Sequence, residues 1–214
     1  DFAHPTRYSW LTAIAGKYVN EWFTLSASAL ATVINEQADK GGSAGNHRKL
    51  TPYVSATFKP FRNEEFRVRF FYKDIFRLPS FNDLYYQEVG NSKLKPENAR
   101  QYNIGLTYSR NVCTFLPYLS ATVDAYYNKV TDKIIAYPTK NLAVWSMRNL
   151  GSVEIKGIGA TGSLSLQPWE SIRINFSGNY TYQRALDVTT PDASSNKSTY
   201  KHQIAYTPRV SASG

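Results

Sequence analysis

Alternation of side-chain character is the feature of this sequence that most limits how the chain can fold. In residues 117–128, Leu119 and Val123 fall on one side of an extended chain, whereas Ser120 and Thr122 fall on the other. Side chains two residues apart in a β-strand point to the same face. Runs of about ten residues with one apolar and one polar face are typical of transmembrane β-barrel strands. Because the pattern recurs along most of the chain, we expect an outer-membrane type of barrel and a role in transport.

The composition agrees with a strand-rich membrane protein. The chain has 16 Tyr, 11 Phe and 4 Trp but only one Met, and strands and membrane-interface girdles both favour aromatic rings. The mean hydropathy of −0.42 and the lack of a run of about 18 apolar residues give no sign of a membrane helix. A barrel escapes that test because its inward-facing polar residues dilute the lipid-facing ones.

The net charge of +9 raises the question of an anionic partner. The cations are scattered, with no run of five or more, so we expect no nucleic-acid partner. In the predicted loops, Lys40, Arg48, Lys49 and Lys140 are candidates to meet membrane lipid and anionic lipopolysaccharide. Cys113 is the single cysteine, which excludes an internal disulfide framework.

The alternation predicts about nine or ten antiparallel strands, most of them too long for a soluble β-sandwich. Tight turns at one end and longer connections at the other should alternate along the chain. The predicted longer connections are residues 35–50, 77–99, 138–142 and 184–200, and a tight turn is predicted at residues 168–171. The predicted strands are residues 8–19, 22–34, 51–60, 66–76, 100–109, 117–137, 143–167 and 172–183, with a last one after residue 200.

One stretch, residues 76–109, carries a recognisable motif. It resembles the barrel of TonB-dependent outer-membrane receptors, in which a Phe-Arg-x-Pro-Ser-Phe-x-Asp-Leu-Tyr segment is followed by Asn, by Leu-Lys-Pro-Glu and by a strand with Tyr-x-x-Gly-Leu. Further similar blocks occur at residues 126–134 and 149–158, in the same order as in the family. The motif residues expected to have a structural role are Phe76, Arg77, Pro79, Asn91, Leu94, Pro96 and Glu97.

The resemblance implies a 22-stranded barrel closed by an N-terminal plug, of which residues 1–214 would be a part. Asp1 follows no signal peptide, and we expect the plug, the TonB-contacting segment and the last strand to lie outside the chain. The implied function is import of a scarce nutrient, such as a ferric siderophore, cobalamin or a similar chelate, across a bacterial outer membrane. The implied energy source is the TonB–ExbB–ExbD system, acting through the plug.

Four cations are the first candidates for a ligand site. Arg67, Arg69 and Lys73 alternate along one predicted strand and share its polar face, and Arg173 is expected to face the same side. A cationic barrel interior would attract an anionic chelate. The alternative is a charge-balanced interior in which carboxylates of the plug pair with these cations.

Three aromatic residues in the connection 77–99 are the second candidates. Phe81, Tyr85 and Tyr86 must either pack within that connection or remain available to a ligand. The three histidines, His4, His47 and His202, lie far apart in predicted loops, so we expect no metal site and no cofactor. Haem receptors of the resembled family carry Ala where this chain has Leu78, and a flanking His that is absent here.

No catalytic motif is present, and we expect a protein that is not an enzyme. The chain has no Gly-x-Ser-x-Gly, phosphate-binding glycine loop or His-Glu-x-x-His. Three alternatives stay open beside the import receptor: a small passive porin or adhesin, an outer-membrane barrel enzyme, and a soluble all-β binding domain.

Overall fold

The computed structural model describes residues 4–39, 45–61, 65–86, 89–138, 145–189, 201–204 and 207–214. Its strands are β1 (Thr6–Val19), β2 (Phe23–Gln37), β3 (His47–Phe58), β4 (Phe66–Arg77), β5 (Glu97–Arg110), β6 (Tyr118–Pro138), β7 (Trp145–Trp169), β8 (Ile172–Asp187) and β9 (Val210–Ser213). A short helix, α1 (Phe81–Tyr85), lies between β4 and β5. Within these residues, no helix is long and apolar enough to cross a membrane.

The described strands form a nine-stranded antiparallel sheet in which each strand pairs with its neighbours in sequence. This confirms the predicted all-β architecture of about nine or ten strands. The sheet is open within the described residues, because β1 and β9 lie at its two edges.

The connections alternate in length as predicted, except for the one between β6 and β7. Short connections follow β1, β3, β5 and β7, and we call that end of the sheet the turn end. Longer connections follow β2, β4 and β8 at the other end, which we call the loop end. The connection from β6 to β7, residues 139–144, is also at the loop end but is no longer than the connections that follow β3 and β5.

The two faces of the sheet differ in character across β4–β8. Arg69 is opposite Gly105, which is opposite Asp124, and this row continues through Gly159 to Thr181. Partners across a ladder share a face, so these polar and small residues lie on the same side, which we call the inner face. The neighbouring row on the outer face consists of Phe70, Ile104, Ala125, Ile158 and Tyr182.

The outer face exposes a broad apolar band. Phe70, Ile104 and Ile158 are 44%, 53% and 55% exposed, respectively. Contiguous apolar surface of this kind is rare on soluble proteins and is the lipid-facing signature of membrane barrels.

Two predicted loops are shorter than expected because the alternation continues into them. β2 reaches Gln37 and β3 begins at His47, so the prediction of a loop over 35–50 was wrong at both ends. His47, Arg48 and Lys49 therefore belong to a strand, whereas Lys40 and Lys140 lie outside the described residues.

The prediction of a connection over residues 184–200 was also wrong at its start. β8 continues to Asp187, and Ala185 is buried opposite Ile155. Strand pairing explains the burial, because β7 extends beyond Ile155 toward the loop end, where Val153 is opposite Asp187.

Two further boundaries differ from the predictions. The connection 77–99 contains α1, and β5 starts inside it at Glu97. The tight turn predicted over residues 168–171 is confined to Glu170 and Ser171, because β7 continues through Trp169 after a shift in register.

Candidate ligand-binding site

The connection between β4 and β5 folds back over the inner face at the loop end. We call residues 80–86 and 89–96 the cap. Leu84 and Leu94 of the cap form a buried cluster with Ile134 of β6, and Met147 of β7 packs against it. The cap is therefore attached to the sheet by an apolar core.

The helix of the cap begins at a capping box. Ser80 Oγ accepts a hydrogen bond from the amide of Asp83 at 3.2 Å, and the Ser80 amide donates to Asp83 Oδ2 at 2.9 Å. This reciprocal pair satisfies amides that a helix start leaves without partners. The preceding Pro79 is fully buried and cannot itself donate, so the chain enters the helix from a fixed, extended segment.

A buried ion pair joins the cap to the first two strands. Arg7 Nη2 of β1 lies 2.6 Å from Glu36 Oε2 of β2, and the Glu36 side chain is only 1% exposed. Arg7 also donates to the Pro79 carbonyl at 3.0 Å, and the Tyr85 hydroxyl donates to Glu36 Oε1 at 2.6 Å. A buried carboxylate needs such partners, because the loss of its hydration costs several kcal/mol.

The three predicted aromatic contacts occupy different environments. The Phe81 ring lies under the Arg7 guanidinium, whose central carbon is 4.7 Å from the ring centroid. Tyr85 is half-buried, with its hydroxyl bound to Glu36. Tyr86 ends the helix and is 60% exposed. Phe81 and Tyr85 thus take part in anchoring the cap, and Tyr86 is the ring that it presents to solvent.

The motif residues surround the base of the cap. Arg77 lies 3.5 Å from Asp83 and 3.4 Å from Glu97, and Glu97 also accepts from the Ile134 amide at 3.2 Å. Charge-assisted bonds of this kind connect the last residue of β4, the first residue of β5 and the helix.

The second half of the cap is bound through asparagines. Asn91 Nδ2 donates to the Met147 carbonyl at 3.0 Å, and the Asn91 amide donates to the Asp83 carbonyl at 2.8 Å. Asn149 of β7 accepts from the Lys95 amide at 2.8 Å and donates to the Lys95 carbonyl at 2.9 Å.

The remaining motif residues are packed close by. Leu94 is buried in the core cluster, and the Pro96 carbonyl accepts from Asn98 Nδ2 at 3.3 Å. Phe76 is half-buried, with its ring centroid 6.3 Å from that of His47.

The structure brings together three of the four predicted cations. Arg67, Arg69 and Lys73 project from β4 on the inner face, below the cap. Arg173 is the second residue of β8, at the turn end, where it donates to Gln167 Oε1 at 3.2 Å.

Arg69 pairs with a carboxylate of the sheet itself. Arg69 Nη2 lies 3.2 Å from Asp124 Oδ1, with side-chain exposures of 47% and 30%. The pair passes over Gly105, where a Cβ would clash with the Asp124 carboxylate. Tyr126 crosses Gly157 in the same way and donates from its hydroxyl to Gln183 Oε1 at 3.1 Å. In each case, a glycine in the strand between the two partners lets a long side chain lie flat on the inner face.

The histidines do not converge. His47 is in β3, whereas His4 and His202 lie outside the strands. Among the described residues, no group of three or more His, Cys, Asp or Glu side chains is arranged to hold a metal ion.

Sequence reasoning missed Arg7, Glu36 and Asn149 as anchors of the cap. Arg7 and Glu36 are equally distant from the tight turn between β1 and β2, so continued alternation of both strands would have placed them opposite each other. Asn149 lies in a motif block, but its contact with Lys95 joins residues 54 positions apart and leaves no local signal.

These features define a class of protein: an outer-membrane type of β-barrel wall whose inner face is capped at the loop end. Residues 9–214 match the model of the family described as TonB dependent receptor-like, beta-barrel, and the chain belongs to that family.

Two relatives are vitamin B12 transporters. The chain is 34% identical over 83 residues to the vitamin B12 transporter BtuB of Vibrio vulnificus, an alignment that covers 39% of this chain and 13% of that protein. It is 31% identical over 94 residues to the BtuB of Photobacterium profundum, covering 42% of this chain and 14% of that protein.

Solved structures share the fold. The FrpB iron transporter of Neisseria meningitidis superposes with a TM-score of 0.63 at 15% identity, over 87% of this chain and 27% of that one. The copper transporter OprC superposes with a TM-score of 0.64 at 14% identity, over 86% of this chain and 29% of that one. The chain thus spans less than a third of the length of these proteins.

Proposed function

We propose that the protein is an outer-membrane receptor that imports a small metal chelate, such as a ferric siderophore, cobalamin or a similar compound. The observation that carries the proposal is Tyr86, an exposed ring on a cap that is hydrogen-bonded to β1, β2 and β7 and packed against β6. A rigid aromatic side chain on a pre-organised support binds ligands at a low cost in conformational entropy.

The cations below the cap suit an anionic or strongly polar cargo. Arg67, Arg69 and Lys73 lie on one strand, and Asp124 balances part of their charge. The remaining positive potential would draw an anionic chelate inward. The similar proteins named above, which carry vitamin B12, iron or copper, support a metal-containing cargo.

Energy and the remaining parts would come from outside residues 1–214. In the proposed receptor, these residues form part of the barrel domain, and a plug connects the cargo site to the TonB–ExbB–ExbD system. No resident cofactor or catalytic step is required by this function, and the relatives are named as transporters.

The experiment compares uptake and surface binding of labelled cobalamin and ferric siderophores in cells that make the full-length protein. Loss of the gene should abolish uptake of one chelate, and loss of TonB should abolish uptake but leave surface binding intact. Tyr86→Ala should weaken surface binding by about tenfold, as expected for a central aromatic contact. Tyr18→Ala, which removes an exposed ring near the turn end, is the matched control.

Two outcomes would contradict the proposal. Uptake that continues at the same rate without TonB would identify a passive porin. Uptake of every tested chelate that is unchanged by loss of the gene would exclude an import receptor for these compounds.

A further inference from the structure

The sheet divides into two parts at the loop end. The ladder between β3 and β4 stops at Tyr53, which is opposite Lys73. β3 nevertheless stays paired with β2 as far as His47, and β4 stays paired with β5 as far as Arg77. Toward the loop end from Tyr53, strands β1–β3 are therefore not paired with strands β4–β8, and we call the gap between β3 and β4 the split.

The sequence explains why the ladder stops. Pro52 comes next in β3 and has no amide to donate to a ladder. If the same register continued, Lys49 would lie opposite Arg77, and like charges directly opposite each other destabilise a sheet. The Arg77 guanidinium instead lies 3.5 Å from the Asp83 carboxylate and 3.4 Å from that of Glu97, on its own side of the split. The split therefore follows from residues of both strands.

A cavity of about 310 Å³ lies at the split. Of the residues that line it, Lys49 belongs to an inner-face row, whereas Asp74 and Arg100 belong to an outer-face row. The cavity is therefore within the thickness of the wall, between the two faces. Directly across the split, the rings of His47 and Phe76 have centroids 6.3 Å apart. Side chains thus leave open part of the space from which the ladder is missing.

Contacts of the cap and of the residue before it join the two parts of the wall. Arg7 Nη2 donates to the Pro79 carbonyl at 3.0 Å, and the Arg7 guanidinium lies over the Phe81 ring. The Tyr85 hydroxyl donates to Glu36 Oε1 at 2.6 Å. Arg7 is in β1 and Glu36 is in β2, so these contacts reach over β3 and hold the first part of the wall.

The body of the cap is fixed on the second part of the wall. Leu84 and Leu94 pack in a buried cluster with Ile134 of β6, and Asn91 Nδ2 donates to the Met147 carbonyl of β7 at 3.0 Å. The cap is thus attached to each part by a different set of contacts. An apolar core and an asparagine hold it to β6 and β7, and the buried ion pair of β1 and β2 holds it on the other side of the split.

We propose that the cap and the Arg7–Glu36 pair form a clasp that sets the width of the split. When the clasp is released, the loop ends of β1–β3 move away from β4, while the ladder from Tyr53 toward the turn end keeps β3 and β4 together. The clasp is a property of the wall itself, and it stands whether or not the proposed import function is correct.

Spin labels on the outer face test the clasp in the full-length protein in detergent, with Cys113 and any other native cysteine replaced by serine. A loop-end pair, Ala31→Cys with Thr131→Cys, joins β2 to β6 across the split. A turn-end pair, Leu25→Cys with Ala125→Cys, joins the same two strands where the ladder is intact. Each pair spans four strand spacings, about 20 Å, and pulsed electron paramagnetic resonance measures its distance distribution.

Release of the clasp should widen only the loop end. In the Arg7→Ala and Glu36→Ala proteins, the loop-end distribution should broaden and shift to longer distances by about 5 Å, which is the spacing of one strand. The turn-end distribution should not change. An unchanged loop-end distribution in both variants, or an equal shift at both ends, would refute the clasp.

Two further variants separate the clasp from a general loss of stability. Asp124→Ala breaks the Arg69–Asp124 pair, whose members are both on one side of the split, and should leave both distributions as in the wild type. Tyr85→Phe removes only the hydroxyl that bonds Glu36 and keeps the ring, so it should broaden the loop-end distribution less than Glu36→Ala does.

Tyr85→Phe keeps the clasp testable if the Glu36→Ala protein does not fold. A loop-end distribution in Tyr85→Phe that matches the wild type would contradict the clasp. A loop-end shift in Asp124→Ala as large as that in Arg7→Ala would contradict it as well.

Discussion

The inner face carries a cation–carboxylate pair in two regions that differ in what covers them. At the loop end, Arg7 and Glu36 lie beneath the cap, and the Glu36 side chain is 1% exposed. On the uncovered wall, Arg69 and Asp124 are 47% and 30% exposed. The first pair also binds the Pro79 carbonyl and a tyrosine hydroxyl, whereas the second crosses a glycine. The same residue types therefore hold a segment in place in one region and form a solvated surface in the other.

The largest effect should come from breaking the buried pair. Glu36→Ala leaves the half-buried Arg7 without its carboxylate and removes the acceptor of Tyr85, so the free energy of unfolding should fall by about 3 kcal/mol. Thermal or denaturant unfolding of the full-length protein in detergent measures the change. Asp124→Ala is the control from the uncovered wall, and an equal loss in the two variants would show that the cap gives the Glu36 pair no special role.

The next largest effect should come from Asn149. Its side chain makes hydrogen bonds with the Lys95 amide and carbonyl and with the Asp132 carbonyl at 2.7 Å. Asn149→Ala leaves these backbone groups without partners and should cost about 2 kcal/mol. It should also make the cap more sensitive to limited proteolysis.

Asn175→Ala, an exposed strand position at the turn end, is the control for that experiment. A cap in the Asn149→Ala protein that resists protease as well as the wild type would show that the asparagine does not anchor it.

Glycine substitutions should separate crowded from open positions along β7. A Cβ on Gly157 would overlap the Tyr126 ring, whereas a Cβ on Gly162 meets nothing within 4 Å. Gly157→Ala should therefore destabilise the protein by about 1–3 kcal/mol. Gly162→Ala should be neutral or stabilise it by about 0.5 kcal/mol, because alanine restricts the unfolded chain. Unfolding midpoints that shift equally in the two variants would contradict this packing.

The smallest effect should come from Arg69. Exposed ion pairs contribute about 1 kcal/mol or less, so Arg69→Gln should change the unfolding midpoint little. If the proposed function is correct, the same variant should weaken cargo binding more strongly at low salt than at high salt. If Arg69→Gln changes cargo binding equally at both salt concentrations, Arg69 does not contribute to the electrostatic attraction of cargo.

The strands could be predicted from sequence because the signal that defines them is local. Each face of a strand is exposed to one environment, so residues such as Ile104 and Gly105 alternate without reference to distant parts of the chain. The ends of strands were less predictable. Polar residues near the loop end, including Glu36 and Asp187, resemble loop residues in sequence and are buried because a neighbouring segment covers them.

The cap was predictable only in part, for the same physical reason. The capping box of Ser80 and Asp83 lies within four residues and could have indicated a helix start. The contacts that fix the position of the cap join Pro79 to Arg7, 72 residues away, and Asn91 to Met147, 56 residues away. A single sequence contains no record of such pairings.

Hydrogen–deuterium exchange of residues 89–96 in the ligand-free, full-length protein tests most directly whether the cap is a fixed part of the wall. The amides of Gly90, Asn91 and Lys95 donate at 2.7 Å, 2.8 Å and 2.8 Å to partners in the cap and β7. We predict exchange about 100-fold slower than in an unfolded chain, and a loss of this protection in the Glu36→Ala protein. Exchange at the unfolded rate in the wild type would contradict a pre-formed cap that presents Tyr86 to cargo.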